Sequence, residues 1–96
     1  MSDVTFTWDR AKNTSNKRKH GVSFEEAQTV FLDENAQLID DPDHSIDEDR
    51  FILLGLSTSL RMLVVCHCYR ENDQLIRIIS ARRATPGEAR DYRHGA

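Results

Sequence analysis

Apolar and polar residues alternate over Val4-Thr5-Phe6-Thr7-Trp8, the two-residue period of a short strand. Asp9 then suits the N-cap of a helix running to about His20, with Gly21 as its C-terminal stop. Between Asp9 and Gly21 only Ala11 is apolar, so this helix has no hydrophobic stripe and apolar packing contributes little to it. A second helix opens with a capping box, Ser23 at N-cap and Glu26 at N3, with Val22 and Ala27 placed as a staple across it. Phe24, Ala27, Val30 and Phe31 follow helical spacing and give this helix a core face that ends near Leu32 or Asp33.

Beyond it, Ala36-Gln37-Leu38-Ile39 reads as a short strand and Asp40–Asp49 as an acidic loop containing Pro42. Three strands follow, about Arg50–Ser57, Arg61–Arg70 and Leu75–Arg82, joined by the polar turns Thr58-Ser59-Leu60 and Glu71-Asn72-Asp73-Gln74. Thr85 at N-cap, Pro86 at N1 and Glu88 at N3 start a last helix that ends near Arg93. The expected order is β-α-α-β-β-β-β-α, an α+β domain with helices packed on an antiparallel meander sheet.

Ninety-six residues, 39% hydrophobic and 30% charged, fit one small soluble domain over residues 1–96 with a thin stability margin of its own. No apolar run approaches the roughly 20 residues of a membrane helix, and the start Met-Ser-Asp-Val-Thr-Phe has no signal-peptide pattern, so a cytoplasmic setting is expected. Cys66 and Cys68 are too close in sequence for an unstrained bridge and read as reduced thiols.

The net charge of −3 is segregated. Residues 9–20 carry five basic side chains against Asp9, residues 21–50 carry ten acids against Arg50, and residues 51–96 carry seven arginines against four acids. A local positive patch therefore survives an acidic average, and local field governs binding more than net charge does.

Arg77 interrupts Leu75-Ile76-Arg77-Ile78-Ile79 in mid-strand, a position that pairs, faces solvent or receives an anion. A two-residue hairpin turn sets Arg77 opposite Cys68 and His67 opposite Ile78, whereas a three-residue turn sets Arg77 opposite His67 and gathers both with Tyr69 into one polar patch. Such a patch would bind a phosphodiester through the arginine fork and move protons through the imidazole. The same residues also suit a solvated sheet face whose arginines pair with nearby acids. Lys12, Asn16 and Lys19 share a stripe of the first helix with His20 adjacent, where they would contact phosphate or complement the helix dipole.

Some patterns carry less than they suggest. In Cys66-His67-Cys68 strand alternation sends His67 away from both thiols, and no second pair stands at zinc spacing, so no metal is expected. Asp41-Pro42-Asp43-His44-Ser45-Ile46-Asp47 lacks the glycine and glutamate of a calcium loop. Ser80 lacks the glycines of a nucleophile elbow.

Phe6-Thr7-Trp8-Asp9 with Lys12, Asn13 and Asn16, followed by Lys19-His20-Gly21-Val22-Ser23-Phe24-Glu25-Glu26-Ala27, resembles the start of the BrnT toxin family. The likeness continues through Asp41-Pro42-Asp43-His44-Ser45, Arg50-Phe51, Gly55-Leu56-Ser57 and Leu63-Val64-Val65 with His67. It closes with Ile76-Arg77-Ile78-Ile79-Ser80-Ala81-Arg82-Arg83-Ala84-Thr85, Glu88 and Tyr92. The resemblance implies a bacterial type II toxin of RelE-like fold that cleaves RNA and arrests growth. Its partner would be a BrnA-like antitoxin with a ribbon-helix-helix DNA-binding part, and DNA contact would come only through that complex.

On this resemblance, cleavage needs no metal or other cofactor. The 2′-hydroxyl attacks the adjacent phosphorus, with Arg77, Arg82 and Arg83 holding the phosphate. His67 is the leading acid or base, Tyr92 orients or protonates, and Lys12, Lys19 and His20 touch the RNA backbone. The antitoxin is expected to cover the basic patch. The rival reading is a non-catalytic module that grips RNA, a ribosome or a partner protein. A transcriptional regulator in its own right fits less well, because no helix combines an apolar packing face with a basic reading face.

Overall fold

The computed structural model describes residues 4–40, 50–72 and 74–93. The acidic stretch 41–49, with its calcium-like spacing, and Asp73 of the hairpin turn lie outside the described residues. The elements are β1 (Thr5–Thr7), α1 (Arg10–His20), α2 (Phe24–Thr29) with a 3-10 turn (Val30–Leu32), β2 (Gln37–Asp40), β3 (Phe51–Leu56), β4 (Met62–Arg70), β5 (Leu75–Arg83) and α3 (Pro86–Arg93). They form a mixed α+β domain with one five-stranded sheet in the order β1-β5-β4-β3-β2.

The helix ends follow the capping chemistry of the sequence. Asp9 accepts from the Lys12 backbone N–H at 3.1 Å, and Ser23 Oγ accepts from the Glu26 N–H at 3.0 Å. Gly21 closes α1 in the left-handed region, φ 71°, and its N–H donates to the Lys17 carbonyl.

The expectation of an antiparallel sheet holds for β2 to β5 and fails for β1. That strand runs parallel to β5, Phe6 opposite Ile76 and Thr7 opposite Arg77. The two helices carry the chain from this edge across one face to β2 at the far edge, and Phe6 turns inward to stack edge-on with Phe31 at 5.1 Å.

Val22, Phe24, Ala27 and Val30 on the helical side meet Leu53, Leu63, Val65, Ile78 and Ala81 on the sheet, and this layer is the core. Gly55 lies under it without a side chain for a steric reason. A Cβ there would stand 2.8 Å from Val30 Cγ1 and 2.9 Å from the Ala36 methyl.

The β4–β5 hairpin takes the register with Arg77 opposite Cys68 and His67 opposite Ile78. Between Cys66 and His67 the pairing shifts by one, so that Cys66 faces Ser80 and Ile79 is the extra residue of a bulge in β5. Strict alternation would send Arg77 and Arg82, five apart, to opposite faces. With the bulge, Arg77 opposite Cys68 and Arg82 opposite Val64 share the face away from α1 and α2. His67 and Arg83 take the other face.

The apolar-poor α1 is fixed by amide chemistry. Buried Asn16 donates to the Ala81 carbonyl at 2.8 Å and to the Val22 carbonyl at 2.9 Å, and it accepts from the Ala81 N–H at 3.2 Å. Since β1 pairs only with Leu75–Arg77, the Asn16 carboxamide continues the ladder along the outer edge of β5 where the strand has stopped. Asn13 adds a bond from the Phe24 N–H at 2.8 Å and one to Glu25 at 2.9 Å. Asn16→Ala strands two carbonyls and one N–H in a buried place, and is expected to cost about 3 kcal/mol in urea unfolding. Asn16→Asp, which cannot donate to either carbonyl, should fail to restore it.

Candidate functional site

On the face opposite α1 and α2, β5 presents Arg77 and Arg82. Their partners on β4 are four residues apart, so the two arginines stand about 13 Å apart along the sheet. Arg77 is flanked by Cys68 and Thr7 on the neighbouring strands and makes no hydrogen bond or ion pair among the described residues.

Arg82 is held end-on. Its Nη1 and Nη2 donate to Glu88 Oε1 and Oε2, both at 2.9 Å, and Nη1 also reaches the Arg83 carbonyl at 3.2 Å. Glu88 completes the capping box of α3, accepting from the Thr85 N–H at 2.8 Å while its own N–H donates to Thr85 Oγ1 at 3.1 Å. The Arg82 fork, helped by the Thr85 donors, pulls the Glu88 carboxyl down to about 2.

α3 crosses this face and packs against β3. At its far end Tyr92 donates its hydroxyl to Asp33 Oδ2 at 2.6 Å, and the Gln37 side chain reaches the Asp91 carbonyl at 3.4 Å. The Asp33 carboxylate holds the Tyr92 proton and raises the phenol above its ordinary value. Burial alone would raise Asp33, yet donations from Tyr92, the Leu56 N–H and the Asn35 N–H together hold it low.

The remaining expected site residues lie elsewhere. His67 has 0% exposure on the helical face, with Phe31 edge-on at 4.8 Å and Phe51 and Tyr69 around it. Its Nδ1 stands 3.1 Å from the Val65 carbonyl, which only accepts, so the proton sits on Nδ1. Nε2 then accepts from the Tyr69 hydroxyl at 3.3 Å. Burial lowers its pKa and keeps the ring neutral near pH 7.

Arg83 also lies on the helical side, where its charge helps lower the Glu26 carboxyl after the larger effect of Arg61. Arg61 is committed to structure, donating to Glu26 from Nε at 2.9 Å and from Nη2, and to the Gly21 carbonyl at 2.9 Å. Lys12, Lys19 and His20 are exposed on α1, rimming the stripe whose centre, Asn16, clamps the helix to β5. An open concavity of about 670 Å3 between Asn13, Lys17, Arg18, Ser23 and Glu25 is on this side too, and none of the β5 arginines lines it. The structure therefore brings Arg77, Arg82 and α3 to one face, and places His67, Arg83 and the α1 cations on the other.

The family profile described as "Ribonuclease toxin, BrnT, of type II toxin-antitoxin system" matches residues 8–88. The chain belongs to the BrnT family. Its fold resembles the 1.1 Å crystal structure of the Brucella abortus ribonuclease toxin BrnT, with a TM-score of 0.65 and 23% identity over 85% of this chain and 97% of that one. No curated protein matches.

The BrnT match takes in both arginines of the face opposite α1 and α2 and ends at Glu88, before Tyr92. The carboxylates that order this face, Glu88 and Asp33, are not among the site residues the sequence suggests. Glu88 reads in the sequence as a helix cap and as part of the family resemblance, and nothing local marks Asp33 as the partner of a tyrosine 59 residues on.

The folded Glu88 value lies below the unfolded value of about 4.3. Its contribution to stability is thus complete above about pH 4.5 and is lost as pH falls toward 2. The pair is partly exposed, so the amount is at most about 1 kcal/mol. Urea midpoints at pH 7, 4.5 and 2.5 should show Glu88→Gln below wild type at pH 7, with the gap closing at the lowest pH.

Proposed function

We propose that this BrnT-family chain is a RelE-like endoribonuclease that acts in the bacterial cytoplasm and is neutralised by a BrnA-like antitoxin with a ribbon-helix-helix DNA-binding part. The observation that carries the site is the β5 bulge, which puts Arg77 and Arg82, both partly exposed, on one face beside α3. Two permanent cations with forked donors, carried on one strand, suit the anionic oxygens of a phosphodiester.

The reaction proposed is metal-independent transesterification. The RNA 2′-oxygen forms a bond to the adjacent phosphorus as its proton leaves to a base. The bond to the 5′-oxygen breaks, and that oxygen takes a proton, giving a 2′,3′-cyclic phosphate and a 5′-hydroxyl. Arg77 and Arg82 stabilise the charge that builds on the equatorial oxygens. Tyr92 orients the substrate from α3. Lys12, Lys19 and His20, with Arg83, give the more distant backbone contacts that raise affinity without choosing the bond.

In this reading His67 is a positioning residue. Its imidazole has no exposed surface, and its Nδ1–H closes on the Val65 carbonyl beside the bulge that aligns the two arginines.

Purified chain in EDTA is expected to yield cyclic phosphate ends. Arg77→Ala and Arg82→Ala should each lower the rate on the order of 10²–10³-fold with the circular dichroism spectrum unchanged. Binding without product, weakened in a graded, salt-dependent way by the same substitutions, would identify a non-catalytic module instead.

For His67, the pH–rate profile separates the roles. His67→Asn keeps a donor for the Val65 carbonyl and should hold the wild-type profile shape, with less than about tenfold loss against the 10²–10⁴ of a missing general base. Loss of the acidic limb in that variant would assign proton transfer to His67.

A further inference from the structure

Between Arg77 and Arg82 the β4–β5 ladder has one rung on their face, Cys66 opposite Ser80. Cys66 lies two residues along β4 from Cys68, the partner of Arg77, and Ser80 lies two residues along β5 from Arg82. The rung is therefore about 6.5 Å from that of each arginine. Both of its side chains are short. Cys66 is half-buried and in no disulfide, and Ser80 is exposed. α3 packs toward β3 and leaves this part of β5 uncovered. The Ser80 hydroxyl makes no hydrogen bond among the described residues.

We infer that Ser80 is a further catalytic residue, whose hydroxyl donates to a non-bridging oxygen of the scissile phosphate as that phosphate sits over the Cys66–Ser80 rung. This rests on the ribonuclease reading above and names the seat of its phosphate. Because the two arginines stand about 13 Å apart, one phosphate meets both guanidinium groups only between them, and the rung between them is this one.

The short side chains of Cys66 and Ser80 let a phosphate come close to the strand, where a large residue at either position would occupy its place. Of the hydroxyls on this face, Thr7 flanks Arg77 alone, from the β1 side, whereas Ser80 stands between the two arginines. A donor there acts where charge builds on the equatorial oxygens. The hydroxyl keeps its proton throughout, so no bond to Ser80 forms and the glycines of a nucleophile elbow are not needed.

The test uses the full chain and an RNA oligonucleotide with one cleavable linkage, its other 2′-hydroxyls methylated. Ser80→Ala is expected to lower kcat on the order of 10–100-fold, because the lost hydrogen bond is to a charged acceptor. Its circular dichroism spectrum should stay that of wild type, since Ser80 is exposed. Ser59→Ala, in the exposed β3–β4 turn, should cleave like wild type. Sulfur in place of the contacted non-bridging oxygen is a weaker acceptor. One of the two phosphorothioate diastereomers should therefore slow wild type about as much as the alanine does, and slow Ser80→Ala little further. Cleavage by Ser80→Ala at the wild-type rate, or sulfur effects that add in full to the alanine effect in both diastereomers, overturns the proposal. If wild type binds RNA without making product, the ribonuclease reading fails, and fully methylated RNA decides the phosphate contact by itself. Several-fold weaker binding by Ser80→Ala then supports that contact, and equal binding overturns it.

Discussion

One extra residue in β5 decides what the two sides of this sheet can do. Ile79 bulges out of the ladder, and every residue after it changes face relative to an unbroken strand. Ile78 and Ala81 both enter the core because of it, although they are three apart. Arg77 and Arg82 both leave the core for the same reason. Packing and charge placement thus share one geometric cause, which is why β-bulges recur where a strand must re-aim a side chain. The neutral imidazole of His67, donating to Val65 beside the irregularity, ties the bulge to the aromatic layer of Phe31, Phe51 and Tyr69.

The second constraint is that α1 must be both basic and attached. A helix with one apolar residue cannot be held by hydrophobic burial, and an apolar stripe would have displaced its cations. Asparagine resolves the conflict. Asn16 turns its donors and its acceptor to the backbone of Val22 and Ala81, and Asn13 stitches the N-terminus of α2. The lysines and arginines of α1 remain in solvent.

Much of this was legible in the sequence because it is local. The N-caps at Asp9 and Ser23, the box Thr85–Glu88 and the glycine stop of α1 are short-range hydrogen-bond chemistry, and the structure makes each of them. The Glu26 carboxylate, expected to complete a box with Ser23, turns to Ser57 and Arg61 instead. The parallel placement of β1 depends on which edge remains free after the meander forms, and three alternating residues cannot encode that. The bulge had a visible trace. Apolar positions run 76, 78 and then 81, with Ile78-Ile79 adjacent, a break in the two-residue period that marks a slip. The sequence reading kept two hairpin registers open, and choosing between them separates His67 from Arg77. Tyr92 and Asp33 meet across 59 residues, beyond any local pattern.

The Arg82–Glu88 pair bears directly on the proposed chemistry. A carboxylate against an arginine is at first sight a competitor for phosphate. Here it takes the two terminal nitrogens end-on, while Nε makes no bond among the described residues. The guanidinium keeps a second edge, Nε with the remaining Nη2 hydrogen, in a plane fixed by the fork. Because Glu88 is itself pinned by the Thr85 cap, that plane is set by the start of α3. The helix that delivers Tyr92 to Asp33 therefore also aims Arg82. An arginine already oriented loses less side-chain entropy when it meets a phosphate, so the carboxylate contributes orientation to the site at the cost of part of the positive field.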